Sequence, residues 1–446
     1  MIFNRKFGAP GLQRKKLAII STYNENCGNA SYTHVLKVAF SEIFDVDVIP
    51  LDLFLLQKPQ PFINIHADAH IKSICAKLKN YDYVNIQFEA GLYGATAGAI
   101  LRRMKWLIDA APNLILTMHR VDVAETTSLI EAIGKSVRAL RAGPLFHHFR
   151  NKEFSVLYHN IVLHCKEQSA RKNVWIKVHA KREHRVIRDV FRFKNVIHYP
   201  LAFLNKEEQK KVKALPKADL AARFGLPQGS KLFGVFGYIS NYKGIETAIK
   251  TVAQLPTDWH LVIAGSQHPQ SIKAYKDVDP YLESILNLIA NEDAERERKL
   301  AKLARVNHYL EKTEVVDERL TKPITDRIKF IGSLDDDDFV HVLRDIDAVV
   351  LPYIEVGQSM SGVIVLAMEA GGRVLGANNL SFAETRKYFG DTFERFDIGN
   401  HIELAQRLQA EPLEVEAART AIFETYNIRN SVALQAQVFE GTYKNV

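Results

Sequence analysis

The chain has 446 residues, more than one hydrophobic core usually holds and enough for two domains of about 200 residues each. Hydrophobic residues make up 47% and charged residues 25%, which excludes disorder, collagen and coiled coil as overall classes. The formal net charge is +8, and residues 1–200 carry 29 Lys and Arg against 16 Asp and Glu. A basic half indicates an anionic partner, such as lipid headgroups or a phosphorylated substrate, or only a solvated surface. Nucleic acid is not expected, because no zinc-finger, RNP-type or basic-zipper pattern is present.

The three cysteines, Cys27, Cys75 and Cys165, are odd in number and far apart. This spacing fits neither a disulfide framework nor a CxxC metal site, so we expect a reducing cytosol. No stretch reaches the roughly 18 apolar residues of a membrane span, and the first residues lack an apolar signal segment. The sequence therefore predicts a cytoplasmic protein, with peripheral contact at the inner face of the plasma membrane as an option.

In the first half, short apolar runs alternate with longer helical periods. Strands are predicted at 16–21, 46–52, 83–89 and 114–119, each followed by a plausible crossover helix. Near-continuous apolar strands separated by helices imply a parallel sheet covered on both faces. Residues 1–203 are therefore expected to form a doubly wound, Rossmann-like α/β domain.

The segment 198–220 breaks this rhythm with prolines and lysines and is interpreted as an interdomain hinge. The alternation then restarts, which predicts a second Rossmann-like domain over 204–428 with a charged helical insertion at about 270–320. A C-terminal helix at 429–446 carries an apolar stripe that crossing to the first domain would bury. The predicted elements of the second domain are strands at 231–239, 259–265, 327–334 and 347–353, and helices at 243–254 and 361–371.

The segment FGYISNYKGIETAI (236–249) is the most specific stretch. A strand ends at Gly237, a polar loop containing Ser240 follows, and Lys243 and Gly244 open a helix. A cation beside backbone N–H groups at a helix start is what a diphosphate requires. The alternative is an ordinary turn whose lysine is solvated.

The segment LPYIEVGQSMSGVIVLAMEAGG (351–372) runs from a strand through a small-residue loop into a helix that begins near Ser361 and Gly362. Small residues let the backbone approach a phosphate, and the N–H groups that follow can donate to it. Glu369 lies two turns further along the helix and could accept from ribose hydroxyls. The alternative is an exposed helix glutamate, although a charge within an apolar helix is costly unless it is paired.

These segments resemble the C-terminal donor domain of family 4 glycosyltransferases, which are retaining enzymes of the GT-B fold. In addition, VNIQFEAGLYG (84–94) and LTMHRVD (116–122) resemble the acceptor-domain strands of that family's bacterial polysaccharide enzymes. The resemblance spans both domains but leaves the insertion and residues 135–195 uncovered.

The resemblance implies a role for each matching residue on the donor side. Lys243 holds the leaving diphosphate, Glu369 holds the donor ribose, and Gly362 and Val363 offer backbone N–H groups to phosphate. The nucleotide base is bordered by main-chain contacts and apolar packing in the loops at Gly265, Ser266, Gly332 and Leu334.

Two positions depart from the family pattern. Ser361 stands where a glutamate usually begins a pair eight residues apart, and Tyr238 stands where an arginine usually follows the strand glycine. These departures put part of the diphosphate and sugar binding in doubt. We expect the hydrogen bonds to the sugar hydroxyls to differ from those of the family.

On the acceptor side, His119 matches the histidine that approaches the transferred sugar. Gln87 and Glu89 end the preceding strand, where doubly wound sheets bind ligands. Glu89 either orients the acceptor hydroxyl or caps a loop, and His119 by itself could be a structural histidine. The loop 24–33, with Asn26, Gly28 and Asn29, matches the family's glycine-containing loop near donor and acceptor.

No metal and no redox cofactor are expected. Asp335 and the aspartates after it are interpreted as a helix start, and no GxGxxG follows either first strand. The basic stretches 101–106 and 181–194 could touch anionic lipid, or they could be solvated helix faces.

The predicted function is transfer of a sugar, with retention and without metal, from a nucleotide-diphosphate sugar to a glycan or lipid-diphosphate-linked acceptor in bacterial surface polysaccharide assembly. Catalysis would occur in the cleft between the domains. Two alternatives remain: an inactive homologue that binds the sugar nucleotide as a scaffold, and a sugar-nucleotide epimerase. The latter ranks last because no cluster of carboxylates suited to elimination is visible.

Overall fold

A computed structural model describes residues 14–444 except 26, 122–132, 135, 139–142, 268–271, 273–276, 310–316 and 358. Two compact units divide the chain. The second unit is Ala202–Asn427, and the first unit combines the residues up to Leu201 with the chain from Ile428 onward.

The first unit contains a six-stranded sheet in the order β2-β1-β3-β4-β5-β6, and every neighbouring pair is parallel. Consecutive parallel strands need crossover connections, which the helices between them supply. The strands are β1 (Lys16–Ser21), β2 (Asp45–Pro50), β3 (Tyr83–Phe88), β4 (Leu114–Met118), β5 (Val174–Val178) and β6 (Val196–His198). The described helices of this unit are Gly28–Phe40, Leu53–Leu56, Pro61–Leu78, Ala90–Tyr93, Ala97–Ala110, Gly143–Gln168, Lys181–Arg185, the π-helical turn Val186–Val190, and Ile428–Phe439.

The two faces of this sheet differ in chemistry. Strand residues of even number near the middle of the sheet, such as Ile86, Leu116 and Ile176, join the apolar core of the unit. Residues of odd number point to the opposite face because side chains alternate along a strand. Several of these are polar and fully buried: Asn85, Gln87, Thr117 and Lys177.

The polar face is covered by the helix Gly28–Phe40 and by the C-terminal helix Ile428–Phe439. The latter contributes Ser431 and Gln435, both fully buried, to the polar face. Its end is anchored by the Asn173 side chain, whose Nδ2 donates to the carbonyl oxygen of Val438 at 2.8 Å. The last helix therefore completes the core of the first unit.

The second unit also contains a six-stranded sheet, in the order β12-β11-β10-β7-β8-β9, again with every pair parallel. Its strand order reverses between β7 and β10, and in open α/β sheets ligands bind at the carboxyl ends of strands beside such a reversal. The strands are β7 (Lys231–Phe236), β8 (Trp259–Ala264), β9 (Ile328–Gly332), β10 (Ala348–Leu351), β11 (Val374–Ala377) and β12 (Glu394–Phe396).

Several helices of the second unit begin at residues whose side chains cap them. Asn205 and Glu208 form a reciprocal capping box at the start of Lys206–Ala214, within the segment expected to be a hinge. Asp335 caps the helix that follows β9, as interpreted from the aspartate run. The described helices are Lys206–Ala214, Leu220–Arg223, Ile245–Val252, Pro280–Tyr309, Asp336–Asp345, Gly362–Ala370, Leu380–Phe389, His401–Gln409 and Glu416–Thr425, with 3-10 turns at Asn241–Lys243, Glu318–Leu320 and Thr325–Arg327.

All eight strands predicted from the sequence are present, and the architecture of two doubly wound parallel sheets is confirmed. Four further strands were not predicted: β5, β6, β11 and β12. Three of them have only three or four residues, and the apolar run of β5 is interrupted by Lys177, so none gives a long apolar run. In the described part of the chain, no helix combines the length and apolar character needed to cross a bilayer.

Candidate functional site

The loops after β7 and β10 interlock at the point where the strand order reverses. Gly244 has φ +61°, and a Cβ at this position would lie 2.0 Å from the carbonyl oxygen of Pro352. The backbone N–H of Ile354 donates to the carbonyl of Tyr242 at 2.9 Å. Only glycine permits both the left-handed backbone and this approach, so the sequence at Gly244 fixes where the second loop lies.

Lys243 is the last residue of the 3-10 turn Asn241–Lys243, and its side chain is buried. Nζ donates a hydrogen bond to the hydroxyl of Tyr353. It also lies 4.1 Å from the ring centroid of Tyr353 and 5.1 Å from that of Tyr242. These aromatic faces stabilise the ammonium in place of water.

Burial lowers the pKa of the Lys243 ammonium from its usual value. Among the described residues, no carboxylate forms an ion pair with it. A buried cation that lacks a carboxylate partner is stabilised by an anion that reaches it, so the site favours a phosphate oxygen.

Tyr353 links this lysine to the helix Gly362–Ala370. Its hydroxyl accepts a hydrogen bond from Lys243. Burial raises the pKa of this hydroxyl, and the nearby Ser361 side chain opposes that effect. Ser361 occupies the N-cap position but makes no capping hydrogen bond from its side chain. The half-buried Gly362 and Val363 begin the helix behind this uncapped end.

This arrangement suits a diphosphate. The backbone N–H groups at the start of a helix carry partial positive charge and have no partners within the helix. Here the uncapped helix start and Lys243 lie on either side of one tyrosine hydroxyl at the carboxyl ends of β7 and β10. The glycine that follows β7 belongs to the same cluster, since a Cβ at Gly237 would lie 3.2 Å from Lys243 Nζ.

The donor-side loops that the resemblance assigned to the base lie at the ends of β8 and β9. Gly265 packs against Gly237, where an added Cβ would lie 2.0 Å from the Gly237 carbonyl oxygen. Ser266 is exposed, and the Ser333 hydroxyl donates to it at 3.1 Å. Gly332 is exposed with φ +70°. The remaining members, Ser240 and Leu334, are half-buried.

Glu369 lies in the interior of the second unit. Its side chain is fully buried, and its carboxylate oxygens accept hydrogen bonds of 3.1–3.2 Å from the backbone N–H groups of Phe203 and Leu204. Burial raises the pKa of this carboxyl well above its usual value, although the two N–H donors oppose that effect. In this arrangement Glu369 fixes the first residues of the second unit. Its ribose role stays a prediction.

In the first unit, His119 follows β4 at the carboxyl edge of the sheet. Its Nε2 lies 2.8 Å from Oε1 of Gln87, which faces it from β3. The ring also makes an edge contact with Tyr32, with centroids 5.8 Å apart, and lies 5.1 Å from the ring of His179. Burial, with a smaller contribution from nearby Lys177, lowers the pKa of His119 to about 3.

Lys177 and His179 on β5 complete this polar cluster and were not singled out from the sequence. Lys177 Nζ donates to the Tyr32 hydroxyl at 3.4 Å and to Ser431 Oγ at 3.2 Å, and burial lowers its pKa to about 7. His179 is buried, with Nδ1 3.1 Å from the carbonyl oxygen of Tyr199. A signal was available, since β3, β4 and β5 share one pattern of polar residues at alternate positions: Asn85 and Gln87, Thr117 and His119, Lys177 and His179.

The other acceptor-side residues lie at neighbouring strand ends. Glu89 is half-buried and stands at the N-cap position of Ala90–Tyr93, where its side chain makes no capping bond. Gly28 opens the helix after β1, and the carbonyl of Asn29 accepts from the Thr33 hydroxyl at 2.6 Å. Asn26 lies outside the described residues. No group of three or more His, Cys, Asp or Glu side chains in the described part of the chain is arranged to hold a metal ion.

Comparison with protein families shows that residues 216–408, all within the second unit, match the family of glycosyl transferases group 1. Comparison with curated protein sequences found no match.

Solved structures resemble the whole chain. Alr3699/HepE from Anabaena, crystallised with UDP, is 13% identical with a TM-score of 0.59, over 95% of this chain and 99% of that one. A sucrose-phosphate synthase from Thermosynechococcus elongatus is 17% identical with a TM-score of 0.59, over 96% and 100%. A UDP-forming α,α-trehalose-phosphate synthase from Burkholderia xenovorans is 10% identical with a TM-score of 0.58, over 97% and 100%. Identities this low establish the fold alone, which is GT-B.

Proposed function

We propose that this chain, with its GT-B fold and a group 1 glycosyltransferase match over 216–408, is a glycosyltransferase that takes its sugar from a nucleotide-diphosphate sugar. Transfer retains the anomeric configuration and uses neither a metal nor a cofactor. The observation that carries the proposal is the convergence of Lys243 and the uncapped start of Gly362–Ala370 on one tyrosine hydroxyl.

The chemical role of this convergence is to stabilise the leaving nucleoside diphosphate. Negative charge develops on the phosphate oxygens as the bond to the sugar breaks. A fixed ammonium and helix N–H groups stabilise that charge most where water is excluded. Lys243 is already desolvated before the donor arrives, so little reorganisation is required. UDP and UDP-glucose, the ligands crystallised with Alr3699/HepE, are the first nucleotide and the first donor to test.

The acceptor is proposed to be an anionic glycan or a lipid-diphosphate-linked glycan in surface polysaccharide assembly, reached at the inner face of the membrane. The supporting observation is the excess of Lys and Arg over Asp and Glu in residues 1–200. His119 is proposed to contact the transferred sugar. Its low pKa makes it a neutral hydrogen-bonding group at physiological pH rather than a cation.

Calorimetric titration with UDP, GDP and ADP tests the diphosphate site. Lys243→Met is expected to weaken binding of the preferred nucleotide at least tenfold, because one charge-assisted hydrogen bond to phosphate contributes about 1.5–3 kcal/mol. The fold should survive, because methionine fills the same volume without a buried charge. Lys250→Met, on the exposed face of the following helix, is the matched control and should bind as the wild type does. Equal affinity in wild type and Lys243→Met would rule out the proposed diphosphate site.

A nucleotide-sugar-binding subunit without transferase activity is the second candidate. The observation that favours it is the engagement of Ser361, at the position of a usual glutamate, by Tyr353. Hydrolysis of a bound nucleotide sugar, followed by release of nucleoside diphosphate, separates the two. An enzyme releases the nucleotide over time, whereas a binding subunit retains an intact donor.

A further inference from the structure

A chain of four hydrogen bonds runs through the buried polar face of the first unit. His119 Nε2 lies 2.8 Å from Gln87 Oε1, and Gln87 Nε2 donates to Asn85 Oδ1. Asn85 Nδ2 donates to Gln435 Oε1 at 2.9 Å. Gln435 Nε2 in turn donates to the backbone carbonyl of Ser431 at 3.2 Å. The three amide side chains are buried, so water does not compete for these bonds.

The bond to the Ser431 carbonyl determines which group donates in each of these hydrogen bonds. A backbone carbonyl can only accept, so Gln435 must turn its NH₂ group to Ser431 and its oxygen to Asn85. Asn85 must then give its NH₂ group to Gln435 and its oxygen to Gln87. Gln87 is left with its oxygen facing the ring. An amide oxygen also only accepts, so the hydrogen in the last bond belongs to His119 Nε2.

We infer that Asn85, Gln87 and Gln435 form an amide relay that holds His119 in the Nε2–H tautomer and leaves Nδ1 as a hydrogen-bond acceptor. The three amides are positioning residues, since they act on a ligand only through the histidine. The ring is neutral over the physiological range because its pKa is about 3, so a single ring nitrogen carries hydrogen.

The relay also selects the chemistry of what His119 can bind. An Nδ1 lone pair accepts a hydrogen bond from a hydroxyl group and repels a carbonyl or phosphate oxygen. If His119 contacts the transferred sugar, which rests on the proposed function, it recognises a hydroxyl that donates. The opposite tautomer would recognise an oxygen that accepts.

The C-terminal helix is the fixed point of the relay. Gln435 and the Ser431 carbonyl both belong to it, and Lys177 Nζ donates to the Ser431 hydroxyl of the same turn. Because the C-terminal helix packs in the first unit, its Ser431 carbonyl, which can only accept a hydrogen bond, stands at the end of the relay.

Nitrogen-15 NMR of the histidine rings in the whole, ligand-free protein tests the relay, because proton–nitrogen correlations identify which ring nitrogen carries hydrogen. The spectrum of His119→Gln assigns the signals. The wild type is expected to show His119 as Nε2–H from pH 6 to 8. Gln435→Leu and Gln87→Leu should each raise the Nδ1–H fraction, while Gln437→Leu, an exposed glutamine of the same helix, should not.

A wild-type His119 that carries its hydrogen on Nδ1 overturns the inference, and this measurement needs no variant to fold. An unchanged tautomer in a folded Gln435→Leu protein also overturns it, because another group would then set the ring. Gln87→Glu adds a rescue test: its carboxylate accepts from Nε2–H, so this variant should keep the wild-type tautomer. None of these outcomes depends on transfer activity, so failure of the relay and failure of the proposed function are distinguishable.

Discussion

Two lysines of this protein are buried in different ways. Lys243 lies against the faces of two tyrosines, whereas Lys177 contacts two hydroxyl groups in the interior of the first unit. Neither forms an ion pair with a described carboxylate, and burial lowers the pKa of both. Lys243 lies at a helix start where an anion can bind. Lys177 has no such neighbour, so its charge is a cost to folding at low pH.

The stability of the protein should therefore depend on pH through Lys177. The unfolded lysine keeps its proton up to a pKa near 10.5, whereas the folded one loses it near 7. Between these values the unfolded state binds more protons, so the free energy of unfolding rises with pH. At pH 7 the free energy of unfolding of the wild type is expected to be lower than that of Lys177→Met by a few kcal/mol. By pH 10 the two free energies of unfolding should be nearly equal. Urea denaturation at both pH values measures this.

Lys79→Met, at an exposed lysine of the same unit, is the control and should leave the pH dependence unchanged. A constant difference between wild type and Lys177→Met across this pH range would contradict the account of a buried, deprotonating lysine.

Sequence reasoning singled out Lys243, Ser361 and His119 because each follows a recognisable strand. It could not find Tyr353, whose role depends on two loops from different strands meeting at its hydroxyl. Glu369 was placed on the right helix, but spacing along a helix does not reveal that backbone N–H groups from residues 203 and 204 occupy its carboxylate.

At the scale of elements, the site depends on the contact between the loops after β7 and β10. Gly244→Ala places a methyl group on the Pro352 carbonyl oxygen and imposes a left-handed backbone on alanine. The expected loss of stability is roughly 2–4 kcal/mol, which adds overpacking to the backbone cost. Nucleotide binding should weaken with it, because Lys243 precedes this residue.

Gly225→Ala is a matched control, since Gly225 has φ +65° but no atom within 4 Å of an added Cβ. Its stability should fall only by the cost of a left-handed backbone at alanine, about 1–2 kcal/mol, and it should bind nucleotide as the wild type does. Thermal and urea denaturation of both variants give the comparison. Equal losses would show that the contact with Pro352 contributes nothing.

The strands that were predicted and those that were missed differ in a physical way. Long apolar runs such as β1 and β8 are buried on both faces and are visible in the sequence. The apolar run of β5 is broken by Lys177, whose side chain lies in the polar cluster, so the strand was not recognised. Lys177 and His179, two residues apart, also identify the cluster beneath His119.

At the scale of the whole molecule, the sequence predicted two doubly wound parallel sheets from the alternation of strand and helix signals, which is a local property. The identity of the residues that meet at the reversal between β7 and β10 depends on strand order, which the local pattern does not contain. The relay from the C-terminal helix to His119 depends on a contact between Asn85 and Gln435, which are far apart in the sequence. The apolar stripe of that helix predicted only that the helix needs an apolar surface to pack against.

Lys243 and the start of Gly362–Ala370 are proposed to hold two phosphates together. A crystal structure of the protein with UDP bound would reveal which groups contact the diphosphate. Phosphate oxygens should lie within hydrogen-bonding distance of Lys243 Nζ and of the backbone N–H groups of Gly362 and Val363, and the ribose position should show whether Glu369 takes part. A diphosphate bound elsewhere, with Lys243 still held by Tyr242 and Tyr353, would rule out this site.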